Sequence, residues 1–179
     1  MKNITILLLM IFSIIGCEKD NPSKPSEPIA EIDKLPPATQ IGANKIGCLL
    51  DGKAFMPGYY NNSTNCWYQF ANGKYSFCVA FNNNDNDIFR GFSINTNGLT
   101  ISQGQTLVLK DNVSGSPTGR FQYQYYSTFT DSINIGEFKI TKLDPTNYIV
   151  SGTFWYNIID YQGVKHEIRE GRFDMRYTS

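Results

Sequence analysis

Few residues in this sequence could catalyse a reaction. His166 is the only histidine among 179 residues, so a Ser-His-Asp triad or a histidine metal site would have to use it. We expect His166 to face the core, hydrogen-bonded, on the same side as Ile168 and Phe173. Paired carboxylates can cleave glycosides, but Glu167 and Asp174 alternate with lysine and arginine, which predicts a solvated ion-pair face. With no P-loop, GxSxG or HExxH motif either, we predict no catalytic residue, no cofactor and no enzyme.

A cysteine close to the N-terminus is a stronger chemical signal. Lys2 precedes a predominantly apolar run over residues 4–15, and Gly16 and Cys17 follow. This order is typical of a secretory signal, and the run is shorter than the roughly 20 residues that span a bilayer. The cysteine after Gly16 resembles the lipobox of bacterial lipoproteins, in which the thiol is acylated. We predict a signal peptide over 1–16, lipidation of Cys17, and attachment to a lipid bilayer of the cell envelope, as an outer-membrane lipoprotein that could be surface-exposed.

The mature chain is expected to contain a tether and one domain. Residues 17–40 carry prolines at close intervals with charges between them, which predicts an extended, solvated tether. Residues 41–179 are long enough for a single domain with a sizeable core. The formal net charge is +0, so nothing favours a nucleic-acid partner.

The chain has 4 cysteines, of which Cys17 would carry lipid. An oxidising compartment permits a disulfide among the others. A two-residue turn at Asn72-Gly73 would place Cys66 and Cys78 on opposite faces of a hairpin, so a bridge would join Cys48 with Cys66 or Cys78. The spacing of cysteines and histidine does not fit zinc, and we predict no metal site.

Two short polar segments resemble known sites. Residues 82–87 look superficially like a calcium loop, but Ile88 and Ile94 occupy the positions of its turn glycine and bidentate glutamate. A polar hairpin loop is the better interpretation. Residues 131–133 resemble the O-glycan acceptor of Bacteroidetes secreted proteins, which makes Ser132 a candidate O-glycan site.

The elements that position these residues are strands. Aromatic and β-branched residues alternate with polar ones between Asp-Gly and Asn-Gly turns, and no sustained helical period occurs. The turn at Asn72-Gly73 pairs Phe70 with Tyr75 and, further along, Trp67 with Cys78. We predict an all-β fold, an antiparallel β-sandwich of roughly nine to eleven strands built from hairpins, with a calycin-like β-barrel as the alternative.

The C-terminal third provides a candidate binding surface. In the strand over 147–158 the even positions are expected to face the core, which leaves Thr153, Trp155 and Asn157 on the outer face beside Glu137. An exposed tryptophan among hydroxyls and amides suits sugar stacking or a protein contact. The alternative is that the loop over 161–163 covers Trp155. Beyond it, Glu170-Gly171 predicts the turn of a last hairpin, with Val164 and Met175 among its inward-facing residues.

Three segments resemble a family of small Bacteroidetes lipoproteins of unknown function. They run over residues 46–55, over 140–144 continuing to 149–156, and over 168–177. The resemblance implies one β domain behind a lipid anchor, and its motifs look like turn and core signatures.

Three functions remain open from the sequence. The first is a membrane-anchored binding or structural module for a glycan, a peptide or another envelope partner. The second is a calycin-like carrier of a small apolar ligand. The third is a hydrolase that uses carboxylates alone, against which the absence of catalytic motifs counts.

Overall fold

The computed structural model describes residues 28–59 and 62–179. The signal peptide and Cys17 lie outside these residues. The described chain is all-β, as the alternating pattern predicts. Its strands are β1 (Lys45–Leu50), β2 (Lys53–Phe55), β3 (Thr64–Ala71), β4 (Lys74–Asp85), β5 (Ile88–Thr96), β6 (Thr106–Leu109), β7 (Pro117–Tyr123), β8 (Tyr126–Phe129), β9 (Gly136–Asp144), β10 (Ile149–Ile159) and β11 (Lys165–Arg176).

The strands form two antiparallel sheets that pack face to face as a sandwich. Sheet A has the order β2-β1-β11-β10-β9-β6, and sheet B has the order β3-β4-β5-β7-β8. The C-terminal residues connect the two sheets. After β11 of sheet A, the backbone of Thr178 hydrogen-bonds to the backbones of Cys66 and Tyr68 in β3 of sheet B. The sheets do not close into a barrel, so the calycin-like alternative is wrong and the predicted sandwich is confirmed.

Local turn chemistry sets the hairpins. Asn72 and Gly73 have φ angles of 54° and 77°, the left-handed geometry that two-residue hairpin turns require. The register that follows matches the prediction, with Phe70 opposite Tyr75 and Trp67 opposite Cys78. The predicted separation of Cys66 and Cys78 onto opposite faces is therefore confirmed.

Aromatic side chains fill the space between the sheets. Phe77 of sheet B stacks on Phe138 of sheet A at 5.5 Å between ring centres, and Phe138 stacks on Phe173 at 5.7 Å. The interior beside Val79 and Phe154 has no space that would admit a water molecule. The sandwich is thus packed solid at this point, as protein cores usually are.

The predicted last hairpin is wrong. Residues 165–176 form one strand, β11, which lies between β1 and β10. Arg169 and Glu170 of β11 oppose the single residue Trp155 of β10, between the pairs Phe154–Gly171 and Tyr156–Ile168, so the chain passes Glu170-Gly171 through a bulge rather than a turn. Ile168 and Met175 are buried as expected, but Val164 is exposed.

The solvated tether also ends earlier than predicted. A short 3₁₀ helix, Glu31–Lys34, is followed by Leu35, which is buried. The Oε2 atom of Glu31 accepts a hydrogen bond from the amide of Ala54 in β2. Residues 31–40, expected in the tether, therefore lie against the domain. Leu35 packs into it, and Glu31 hydrogen-bonds to sheet A.

Asp174, expected on a solvated face, is covered by residues 39–43, which lie just before β1. Its carboxylate accepts hydrogen bonds from the Thr39 hydroxyl, from the amides of Ile41, Gly42 and Ala43, and from the Ser151 hydroxyl. The side chain leaves sheet A on its outer face, as the alternation predicts, but the segment before β1 folds over it and leaves Asp174 1% exposed.

Candidate binding site

Trp155 stands on the outer face of sheet A, as predicted. It is 36% exposed and lies opposite Glu137 of β9, while Thr153 lies opposite Lys139. The indole borders a groove of about 470 Å³. The groove is lined by Ala38, Glu137, Thr153, Trp155, Arg169 and Arg172, among others, and we call it the Trp155 groove.

Arg169 covers part of the indole. Its guanidinium carbon lies 5.5 Å from the centre of the Trp155 ring, within the range of a cation–π contact. The Nη2 atom of Arg169 donates to the side-chain oxygen of Asn157 at 2.7 Å and lies 3.2 Å from a Glu167 oxygen. Asn157 therefore positions Arg169 and contributes less to the open surface than predicted, whereas Thr153 is exposed.

The loop over 161–163 does not cover Trp155, so the alternative considered from the sequence is wrong. Tyr161 stacks on Tyr126 of sheet B, with 4.1 Å between ring centres. Trp155 is partly covered by Arg169 instead. The Trp155 groove combines the indole with charges of both signs. At its rim, the Nη2 atom of Arg172 lies 3.8 Å from the Oε2 atom of Glu170.

His166 is hydrogen-bonded but only half-buried. Its Nδ1 lies 2.7 Å from a carboxylate oxygen of Asp51, and its Nε2 lies 3.3 Å from a carboxylate oxygen of Asp160. Within residues 28–59 and 62–179, no hydroxyl or thiol shares a hydrogen bond with this imidazole. The arrangement ties the β1–β2 turn to the loop after β10, and it lacks the nucleophile of a triad.

The predicted disulfide is not formed. Cys48, Cys66 and Cys78 are all free and buried. Burial raises the pKa of the Cys48 and Cys66 thiols far above the ordinary value, and raises that of Cys78 to about 12 although the nearby Arg120 charge lowers it. These thiols are therefore poor nucleophiles.

The remaining candidates are surface features. Ser132 is exposed in the loop after β8, where a glycan would be sterically accessible. Asn86 and Asp87 form the two-residue turn between β4 and β5, with φ angles of 50° and 60°, so residues 82–87 belong to a hairpin as expected. In the described part of the chain no group of three or more His, Cys, Asp or Glu side chains could hold a metal ion.

Sequence reasoning missed the outer face of sheet B. Trp67 and Arg120 lie on this face and line one depression of about 400 Å³. The alternation of β3 and β7 does assign each of them to the outer side. No signal in the sequence places β7 next to β5, because that pairing skips β6, so the two residues could not be brought together.

The comparisons with known proteins do not assign the chain to a family. No protein-family model, no curated protein and no solved structure matches the chain. The resemblance to small Bacteroidetes lipoproteins stays a prediction. Among the described residues, no helix is long and apolar enough to cross a membrane.

Proposed function

We propose that the chain is a lipid-anchored protein of the cell envelope whose sandwich binds a partner in the Trp155 groove and does not catalyse a reaction. Acylation of Cys17 would hold it to the outer membrane. The single observation that carries the binding function is the exposed Trp155 beside Arg169 in an open groove. Tryptophan and arginine dominate the binding energy of many protein interfaces.

The groove favours a protein segment of the envelope as the partner. Glu137 and Arg172 offer charges of opposite sign within one lining, which complements a peptide with both charges. A glycan is the second candidate, because the exposed Thr153 hydroxyl and the indole suit a sugar ring.

The two other functions have less support. A carrier of an apolar ligand needs an interior cavity, and the space beside Val79 and Phe154 has no room for a water molecule. A carboxylate hydrolase needs two free carboxylates. Asp174 is occupied by five hydrogen-bond donors, and Glu167 pairs with Lys165 and Arg169.

Site-specific photocrosslinking in intact cells tests the proposal. A photoreactive amino acid at Thr153, in cells that produce the protein natively, should yield a discrete crosslinked envelope protein. The same amino acid at Lys53, which is exposed on β2 at the edge of sheet A, should not. Adding Trp155→Ala should reduce the crosslink at least tenfold, since such anchors contribute about 2 kcal/mol or more. Equal crosslinking from positions 153 and 53 would disprove a binding role for the groove.

A further inference from the structure

The outer face of sheet B is predominantly polar, and we call it the polar face; Cys78, Ser93 and Thr118 on it are buried. Strand pairing aligns Trp67, Cys78, Asn95 and Thr118 in one row across four strands. The next row contains Asn65, Ala80, Ser93, Arg120 and Phe129, and the row after it contains Asn82, Gly91, Gln122 and Ser127. These rows contain amides, hydroxyls and two aromatic rings, and no carboxylate.

Arg120 is the one charged side chain in these rows. Its Nε and Nη2 atoms donate to the hydroxyl of Ser127 at 3.1 and 2.8 Å, and Nη2 also donates to the side-chain oxygen of Gln122. None of the ion pairs within residues 28–59 and 62–179 includes Arg120. A guanidinium held in place on a sheet face without a carboxylate is complementary to an anionic group on a ligand.

The two aromatic rings lie on opposite sides of Arg120. Trp67 is on β3, Phe129 is on β8, and both border the same depression of about 400 Å³. Four strand intervals separate β3 from β8, which corresponds to roughly 19 Å across the sheet. A smaller depression of about 90 Å³ adjoins it, with Arg120, Gln122 and Ser93 in its lining. The surface is therefore long enough for several linked rings rather than for a single small molecule.

We propose that the polar face binds an acidic saccharide, a chain of sugars that carries carboxylate groups. Trp67 would stack on a sugar ring, the amides and hydroxyls of Asn95, Gln122 and Ser127 would hydrogen-bond to sugar hydroxyls, and Arg120 would pair with a carboxylate. This site is separate from the Trp155 groove, which lies on the other sheet, so it stands or falls independently of the function proposed above.

The chemistry of the face argues against other occupants. One arginine is too few for a nucleic acid, whose binding rests on many phosphate contacts. A protein interface usually has an apolar core, and Trp67 and Phe129 are separated by polar residues here.

Titration of the full-length protein in detergent with uronic-acid oligomers tests the proposal. In the Trp155→Phe background, Trp67 is the only tryptophan, and its fluorescence reports on the polar face. A panel of galacturonate, mannuronate and glucuronate oligomers should contain one that changes this emission saturably. Its methyl ester, which keeps the sugar but removes the charge, should bind about tenfold to hundredfold more weakly, because a hydrogen bond to a charged group contributes that much.

Variants then assign the contacts. Arg120→Gln should bind the acid as weakly as the ester, and Arg120→Lys should recover part of the difference. Trp67→Ala, followed by calorimetry, should weaken both ligands alike, while Tyr125→Ala, which removes an aromatic ring 95% exposed in the β7–β8 turn, should change neither. Equal binding of acid and ester by the unmodified Arg120 protein would overturn the proposal, and so would an absence of binding across the panel. The acid–ester comparison needs no variant and holds even if Arg120→Gln fails to fold.

Discussion

At the scale of single residues, Asp174 shows how a charged side chain can hold a segment in place. Burial raises the pKa of this carboxyl, but hydrogen bonds from Thr39, Ile41, Ser151 and Ala43 outweigh it and lower the pKa to about 2. Since the folded pKa lies below the unfolded value of about 3.9, the stabilisation is complete above that value. It is lost as the pH falls toward 2, and it amounts to roughly 2 kcal/mol.

Replacement of this carboxylate should be costly. Asp174→Asn puts an amide donor against several backbone amides, so we expect the free energy of unfolding at pH 7 to fall by about 3 kcal/mol. Urea unfolding measures it, and the gap between variant and parent should narrow as the pH approaches 2. Asp85→Asn at the exposed end of β4 should change stability by less than about 0.5 kcal/mol. A gap that is the same at pH 7 and pH 2 would refute the assigned pKa.

The three thiols of the domain provide a second prediction at this scale. We expect the unreduced mature protein to show free Cys48, Cys66 and Cys78 when denatured, and reduction to leave its melting temperature unchanged. In the native state Cys78, 7% exposed, should react with a thiol reagent before Cys48, which is 0% exposed, and Cys78→Ser should remove the fastest phase. Fewer than three reactive thiols after denaturation would reveal a disulfide.

At the scale of elements, β11 is the central feature. It is hydrogen-bonded to β1 on one side and to β10 on the other, and it carries a bulge near Glu170, whose φ is 52°. The bulge reverses which side chains face the core, so Ile168 and Phe173 both point inward. It also places Arg169 against Trp155, and the geometry of the Trp155 groove therefore depends on it.

Close packing in sheet A predicts that one glycine, Gly152, cannot be replaced without a loss of stability. A Cβ added to Gly152 of β10 would collide with the carbonyl oxygen of Lys139 and with the ring of Phe173, neither of which can move without disturbing sheet A. Gly152→Ala should cost roughly 2–4 kcal/mol of stability in urea unfolding. Gly104→Ala meets nothing within 4 Å and carries only its φ of +82°, so it should cost about 1 kcal/mol. Similar costs for the two would show that the strands are not so closely packed.

At the scale of the whole molecule, the sandwich presents two different outer faces. The face of sheet A has the Trp155 groove with charges of both signs, and the face of sheet B has amides, hydroxyls and Arg120. A module anchored through Cys17, as we propose, could contact two partners at once with this arrangement. A protein segment on one side and an acidic saccharide on the other are the partners we propose.

The anchor is the prediction that belongs to the whole chain. Acyl chains contribute about 0.8 kcal/mol per buried methylene, so the mature protein should fractionate with membranes. Cys17→Ala should release the protein or leave the signal peptide uncleaved, and Cys78→Ser should remain membrane-bound. Immunoblots of washed membranes distinguish these results. A variant of mature size that stays in the membrane after Cys17→Ala would contradict lipidation at this position.

Local chemistry in the sequence determined much of the fold. Turn dipeptides that tolerate positive φ, such as Asn72-Gly73, fix a hairpin register without help from the rest of the chain, and strict alternation fixes which side chains face inward. Trp155 was assigned to the outer face of β10 in this way. Such signals act over a few residues, which is why they can be interpreted without a structure.

Contacts between distant segments required the tertiary structure. A two-residue turn and a bulge both reverse the inward side, so the pattern around Glu170-Gly171 could not distinguish a hairpin from one long strand. The burial of Asp174 depends on Thr39, which is 135 positions away in sequence. The polar face depends on strand order, because Trp67 and Arg120 line the same depression only when β7 pairs with β5. Strand order is decided by burying both sheets against each other, and no local pattern encodes it.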